Sequence, residues 1–498
     1  MNPASRFPEV VVIGGGPAGS AIARLLALRG HTVTVLARRI DAVHGLAESL
    51  PPSTRKVLAA VGALERIEAT ETCRNTGNTV WWGGTDERIE EFGNREGASG
   101  YQVWRPDFDR LLAEQATAAG ATWREGIVRR VDVADETRAD ITFETASGTT
   151  ERITSRFVVD ASGRAGVIAR RFRRTVGTRR THAWIGLWTT QSNALLAEST
   201  RTLVETCEDG WAWSVPVSTT KRCVTVMVDP ESTPRAGGGA FANRYRVQLG
   251  KTRHLRRIVE GARFERAWGC DASLYDTAEF GGSQFLLVGD ASSFIDPLSS
   301  FGIKKALTSA WMGAAVVHTS LIDPSLAVDA RRLFAERERE AQVSSVRRSV
   351  EYAREAALYH PTPFWTARAE APAGFATVAG DPIERGADLA AAFAQLRSSP
   401  GIDLQPGRSL RFEWKPEFRG HRIALERAVV SERLPGPIRF LDNVDLTRVV
   451  EMAAHYRHVG DLFDGYCRVA APVPLPSFLK ALSVLVAKQL LEPAEGRS

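Results

Sequence analysis

A chain of 498 residues, 44% hydrophobic and 24% charged, is long enough to form two or three domains around sizeable cores. Its formal net charge of +6 favours anionic partners only mildly, and arginines interleaved with glutamates, as in Glu336-Arg337-Glu338-Arg339-Glu340, read as solvated helix faces rather than a nucleic-acid track. Five cysteines (Cys73, Cys207, Cys223, Cys270, Cys467), odd in number and without CxxC spacing, indicate neither a disulfide framework nor a metal site, so a reducing, cytoplasmic setting is expected. The apolar window Val10 to Leu28 holds a Gly-Gly-Gly-Pro run and Arg24, so neither export nor membrane insertion is expected.

The segment Glu9 to Leu36 reads as strand, glycine turn, helix and second strand, the unit that holds a dinucleotide. Gly14, Gly16 and Gly19 supply the GxGxxG spacing: a tight turn, backbone approach to a diphosphate, and close packing of helix on strand. Free N–H groups at the start of that helix, around Pro17 and Ala18, then point at the diphosphate. The acidic residue that usually ends the second strand is missing. The chain reads Leu36-Ala37-Arg38-Arg39, leaving Arg38 either as an adenine or ribose contact or as a surface charge.

Further along, Pro51, Pro52 and Ser53 mark a loop-to-helix junction, with a helix from Thr54 to Leu64. Trp81 and Trp82, adjacent on an extended segment, point to opposite faces. A helix after Pro106 carries Phe108, Leu111, Leu112 and Ala116 on one stripe. Hairpins around 126–133 and 141–157 lead to a strand that stops at Asp160-Ala161-Ser162-Gly163, a second strand-end cradle. From Ala183 to Asp229, Trp-, Val- and Thr-rich strands with a turn at Asp209-Gly210 predict a separate antiparallel sheet. Gln284 to Val288 restores the buried-strand pattern, followed by Gly289-Asp290 and a long helix beginning near Gly302-Ile303. Lys304 and Lys305 fall in its first turn, where the macrodipole disfavours cations, so an anion should compensate them. From Ala341 the chain reads as mostly helical, and its last helix places Leu479, Leu482, Val486 and Leu490 on one docked stripe.

Taken together, GGGPAG at 14–19, WRPDFD at 104–109, DASGR at 160–164 and GDASSFIDPLSSFGIKKAL at 289–307 resemble the FAD-dependent monooxygenase superfamily, in the branch of flavin-dependent halogenases and their hydroxylating relatives. The resemblance implies an α/β fold: a Rossmann-like FAD-binding domain of the p-hydroxybenzoate hydroxylase type, an inserted antiparallel β-sheet substrate domain and a helical C-terminal domain. The FAD-binding segments are expected at 1–80, 105–180 and 281–340, the substrate-domain strands at 81–104 and 181–280, and the helical domain at 341–498. It further implies that Gly14, Gly16, Pro17, Ala18 and Gly19 bind the diphosphate and that Arg105 contacts the cofactor. Gly289 and Asp290 would bond the ribityl chain, and the helix starting at Gly302-Ile303 would aim at the flavin ring. Arg38, Ser49 and Asp160 complete the candidate cofactor set.

Halogenases of this branch carry a lysine in the segment ahead of the Trp-Gly pair, and here Asn75 takes its place; no lysine occurs between Lys56 and Lys221. At the halide site Ser300-Phe301-Gly302 replaces the usual Ser-Thr-Gly or Ser-Ser-Gly, while Gly210-Trp211-Ala212-Trp213-Ser214-Val215-Pro216 keeps the family's tryptophan motif. Hydroxylation of an aromatic ring through a flavin C4a-hydroperoxide is therefore expected, with halogenation or flavin-dependent reduction as alternatives. Asn75, Trp211, Trp213 and Lys304 are the candidate catalytic residues, and Trp82 a further pocket candidate. Segments 48–53, 77–83, 300–307 and 471–485 look most like flavoproteins that hydroxylate tryptophan during tryptophylquinone cofactor biogenesis. That resemblance implies a peptide or protein substrate, dioxygen, and electrons from NAD(P)H or a separate flavin reductase. Arg411, Lys415, Arg419, Arg422 and Arg427 form a candidate acidic-partner patch.

Overall fold

The computed structural model describes residues 7–40, 45–70, 73–84, 86–93, 99–135, 137–177, 179–189, 200–231, 241–375, 388–398, 401 and 403–493. Val10–Ile13 is buried along its whole length, as a Val/Ile run flanked by parallel strands should be. It pairs in parallel with Val33–Ala37 on one side and Phe157–Asp160 on the other, with Val12 opposite Val35 and Val159. Phe285–Leu287 continues the parallel set beyond Phe157–Asp160, and Thr122–Asp135 continues it beyond Val33–Ala37. Thr122–Asp135 then runs on into antiparallel pairing with Arg138–Thr145, which pairs with Thr150–Ser155, giving a seven-stranded sheet. The helix Pro17–Ala27 connects the first two parallel strands and packs on the helix Gly302–Ile322.

The second sheet also has seven strands, ordered Arg263–Asp271, His182–Thr189, Lys221–Val228, Gly210–Pro216, Arg201–Cys207, Gly77–Trp81 and Arg88–Glu91. The predicted turn is present: Cys207 pairs with Gly210 around Asp209. Two details differ from the sequence reading. Arg201–Cys207 and Gly77–Trp81 run parallel in an otherwise antiparallel sheet, and the chain between them passes through strands of the first sheet and not through a single hairpin turn. Gly100–Trp104, expected among the substrate-domain strands, instead joins Ala47–Leu50 and Cys73–Asn75 in a small three-stranded sheet. Ala47–Leu50, with Ala47, Ser49 and Leu50 buried and Glu48 half-buried, is too short for a strand pattern to stand out beside Pro51-Pro52.

The chain divides into two compact units, Met1–Thr377 with Gly420–Arg422 and Val378–Arg419 with Ile423–Ser498. The expected boundary at 341 is corrected: the helix Ala327–Ala357 crosses it with Glu338, Gln342, Val346 and Val350 all buried, so no linker exists there. The second unit is not mostly helical either. Arg411–Arg419 and Arg422–Val430 form a two-stranded sheet whose period-2 pattern the charged residues conceal. Within this unit the helix Leu475–Ala487 is docked, with Phe478, Leu482 and Leu485 fully buried. The basic patch is largely self-neutralised: Arg419 bonds Glu426, Arg427 bonds Glu451, and Lys415 pairs with Glu417. Among the described residues no helix is long and apolar enough to cross a membrane.

In the first unit, His31 Nε2 and His318 Nδ1 lie 2.8 Å apart, joining the start of a parallel strand to the helix Gly302–Ile322. Burial, and then the neighbouring His31, pushes His318 down to about 4; burial also lowers His31 despite Glu9. Both imidazoles therefore sit below their unfolded value of about 6.5, so their stabilisation is complete above that pH and is lost as pH falls toward about 4. Urea unfolding across this window should show stability declining with acid, and less steeply in His318→Gln. Parallel declines in the two proteins would remove the pair from the account.

Candidate functional site

Where the first strand ends, three glycines divide two tasks. Gly14 has φ +103°, a left-handed conformation, and a Cβ there would stand 2.3 Å from the Ala161 carbonyl oxygen. A Cβ on Gly19 would stand 1.9 Å from the Gly14 carbonyl oxygen. These two let helix and strands close on one another. Gly16 is different: nothing lies nearer its added Cβ than an Arg105 guanidinium nitrogen at 3.8 Å, so it borders open space. Pro17 is the first residue of the helix, which has no side-chain cap and no acidic residue in its first turn, leaving its N–H groups for an anion.

That open space is a cavity of about 590 Å³. Of the residues singled out from sequence, Gly14, Gly16, Pro17, Ala18, Arg38, Arg105, Asp290, Gly302, Ile303 and Trp213 line it. Arg105 donates from Nε and a terminal nitrogen to both Asp109 oxygens, at 2.9 and 3.0 Å, and its other terminal nitrogen lies 3.5 Å from Glu48. Burial alone would lower the guanidinium, but Asp109 and Glu48 hold it above its usual value. Burial raises Glu48 above the carboxylate range, with Arg105 opposing it. Glu48 and Asp109 also line the cavity and escaped the sequence reading. Asp109 was visible as the i+4 partner of Arg105; Glu48 carried no local signal.

Trp213, Ala183, Phe294 and Cys270, from several chain segments, also line the cavity, with the Arg164 guanidinium 4.2 Å from the Phe294 ring centroid. Trp213 stacks on Trp211, with ring centroids 4.9 Å apart, but Trp211 is buried behind it in a core with Trp82 and Trp365. Trp82 donates its indole N–H to the Tyr352 carbonyl at 3.0 Å. Of the three tryptophans expected at the pocket, only Trp213 reaches it.

The remaining candidates serve the frame. Asp160 is fully buried, and its carboxylate accepts from the Ser162 amide and hydroxyl and from the Ile168 and Ala169 amides, fastening the turns after the strand. Gly289 (φ +63°) lies where a Cβ would press on Ala18 at 2.8 Å. Ser49 and Asn75 lie in a buried polar cluster with Thr202, off the cavity lining. Lys304 turns away from the cavity, donating to Ser53 Oγ at 3.0 Å and covering the Phe301 ring. The anion beside Lys305 is internal: Glu338, 3.8 Å from its buried ammonium group.

The cradle fits a dinucleotide: a backbone anion site, a cleared approach at Gly16 and a fixed arginine share one cavity. A family profile described as "FAD binding domain" matches residues 8–315. A tryptophan 2-halogenase of Chondromyces crocatus is 29% identical over 62% of this chain and 60% of its own length. This chain spans less than two thirds of the length of that relative and of neighbouring curated halogenases of Armillaria mellea. Two solved structures share the fold at 22% identity. One, of the flavin-dependent halogenase CmlS, has a TM-score of 0.76, covering 99% of this chain and 97% of its own. The other, of the peptidyl tryptophan dihydroxylase QhpG, has a TM-score of 0.67, covering 97% and 100%.

The division among the glycines is testable. Gly16→Val, projecting into open space, should keep the far-UV circular dichroism and urea midpoint but abolish retention of FAD on purification. Gly19→Val should cost stability itself, by about 3 kcal/mol or more. Equal loss of stability in both variants would contradict the assignment.

Proposed function

Because this chain belongs to the FAD binding domain family, we propose that it is a flavin-dependent oxidoreductase that inserts oxygen into an electron-rich aromatic ring, a tryptophan or other indole carried by a peptide or protein. The observation that supports oxygen insertion over halogen transfer is the state of Asn75. It is 0% exposed; its Nδ2 donates to Ser49 Oγ at 2.6 Å and lies 3.4 Å from Thr202 Oγ1, and its Oδ1 accepts from the Gly77 amide at 3.1 Å. Where the halogenase resemblance calls for a cation, this chain keeps a neutral amide committed to its neighbours. An uncompensated ammonium group there would be costly.

In this reading Gly14 to Ala18 and the first-turn N–H groups would hold the diphosphate, and Arg105, locked by Asp109 and Glu48, would contact the cofactor. Asp290 would accept from ribityl hydroxyls, and Gly302 and Ile303 would contact the flavin ring. FAD, when bound and reduced by NAD(P)H or a separate flavin reductase, supplies the activation of dioxygen. Trp213, on the cavity lining, would offer an aromatic face to an aromatic substrate. QhpG, a peptidyl tryptophan dihydroxylase of the same fold, supports the substrate class. The curated halogenase relatives favour the second reading, halogenation of an aromatic substrate.

Mass spectrometry separates the two readings. Tryptophan-containing peptides incubated with the protein, FAD, a reducing system and isotope-labelled dioxygen should gain mass carrying the label, with no effect of bromide; a bromide-dependent gain instead would overturn oxygen insertion. As a companion prediction, Asn75→Lys should lower stability by roughly 2–4 kcal/mol, seen as a lower urea midpoint, and confer no halide dependence.

A further inference from the structure

Lys305 is only 8% exposed, although the helix Gly302–Ile322 on which it lies has free surface close by at Lys304. Its ammonium group reaches back to a single loop. Nζ donates to the Gly289 and Ser293 carbonyls, each at 2.6 Å, and lies 3.3 Å from Ser292 Oγ. Glu338, from the helix Ala327–Ala357, stands 3.8 Å from Nζ and 2.7 Å from the same serine hydroxyl. Both ends of the loop are therefore bonded to one cation, and the cation is neutralised from a second helix.

The loop between those ends is tied at other points too. The Gly289 amide donates to Ser309 Oγ at 2.9 Å, and Tyr275 Oη donates to the Asp290 carbonyl at 2.6 Å. Gln342, one turn after Glu338, donates from its side chain to the Tyr275 carbonyl at 3.3 Å. What stays uncommitted by these bonds is the Asp290 side chain, and Asp290 lines the cavity. A buried ion pair is weak evidence for stability, since well-packed apolar side chains often serve as well. Here an apolar replacement would take from the Ser293 carbonyl its Lys305 donor and leave the Gly289 carbonyl to the Ser292 amide and hydroxyl, so the two ends of the loop would lose the group they share.

We propose that Lys305 is a positioning residue for the cofactor: its ammonium group, held by Glu338, clamps both ends of the Gly289–Ser293 loop and so fixes Asp290 at the cavity wall. The inference rests on the FAD reading of the cavity and is independent of whether oxygen or halogen is transferred.

The test compares wild type, Lys305→Met and Lys305→Met/Glu338→Gln, each as the full chain stripped of FAD. Apo melting temperature, the FAD dissociation constant from flavin fluorescence, and the visible spectrum of bound flavin are measured. Lys305→Met leaves Glu338 buried and unpaired, so it should melt lower and bind FAD weakly. The double variant removes both charges and should recover most of the melting temperature, yet bind FAD at least about tenfold more weakly than wild type, with an altered visible band. Should the single variant fail to fold, the double variant decides alone. Wild-type affinity and spectrum in the double variant would overturn the clamp, reducing the pair to mutual neutralisation. Absence of FAD binding by wild type would overturn the cofactor reading, and this inference with it.

Discussion

One missing carbon atom organises the site. Where the helix Pro17–Ala27 crosses the strand ends, a Cβ on Gly19 would meet the Gly14 carbonyl at 1.9 Å and a Cβ on Gly14 would meet the Ala161 carbonyl at 2.3 Å. Any larger side chain at either position pushes helix and strands apart. The approach brings the first turn, the strand end near Ala161 and, through Gly289 against Ala18, the loop bearing Asp290 into one cradle. These segments are distant in sequence, and most of the groups they present are backbone. A cradle made of backbone tolerates wide divergence of side chains, consistent with solved structures that keep the fold at 22% identity.

Two cations of the site, Arg105 on the cavity lining and Lys305 off it, are fixed before any ligand arrives. Arg105 is gripped by Asp109 in two bonds, and Lys305 reaches two carbonyls with Glu338 behind it. A guanidinium already held in one rotamer loses little further freedom when an anion binds, so more of the interaction appears as affinity. Lys304, a single residue from Lys305, shows the contrast: it bonds one hydroxyl and covers an aromatic face outside the cavity. Adjacent positions on a helix point about 100° apart, and that rotation separates a surface lysine from a structural clamp.

What the sequence disclosed depended on whether the signal was local. The GxGxxG turn, the strand and helix around it, and the turn at Asp209-Gly210 were legible because glycine and alternation carry their own conformational reasons. Arg105 was found through its motif, whereas Asp109, its i+4 partner in that same motif, was passed over although helical spacing would have found it. Long-range pairing left no such mark. Nothing around Glu48 says that it faces Arg105, and nothing in Lys304-Lys305 says which of the two turns inward. The expectation that an anion would offset those lysines holds for Lys305 alone, whose anion is a glutamate of the next helix, while Lys304 bonds a hydroxyl. Asp160 looked like a cofactor ligand because it ends a strand at the right place; four donors from the following turns use up its oxygens instead. The charged strands of the second unit were missed because alternation of Arg and Glu also describes a solvated helix face.

The Asn75 cluster links these themes. Asn75 ends a strand of the small sheet, Ser49 lies on another strand of that sheet, and Thr202 belongs to the second sheet. The two bonds made with Thr202 therefore fasten one sheet to the other. Thr202 sits on the strand Arg201–Cys207, whose Val204 pairs directly with Trp213 of the neighbouring strand. A change of size or charge at Asn75 is consequently transmitted to the aromatic wall of the cavity by a short, packed route, since interiors at crystal-like density shift rather than absorb strain. Asn75 thus acts as a neutral fastener between the two sheets, one strand away from Trp213 on the cavity lining.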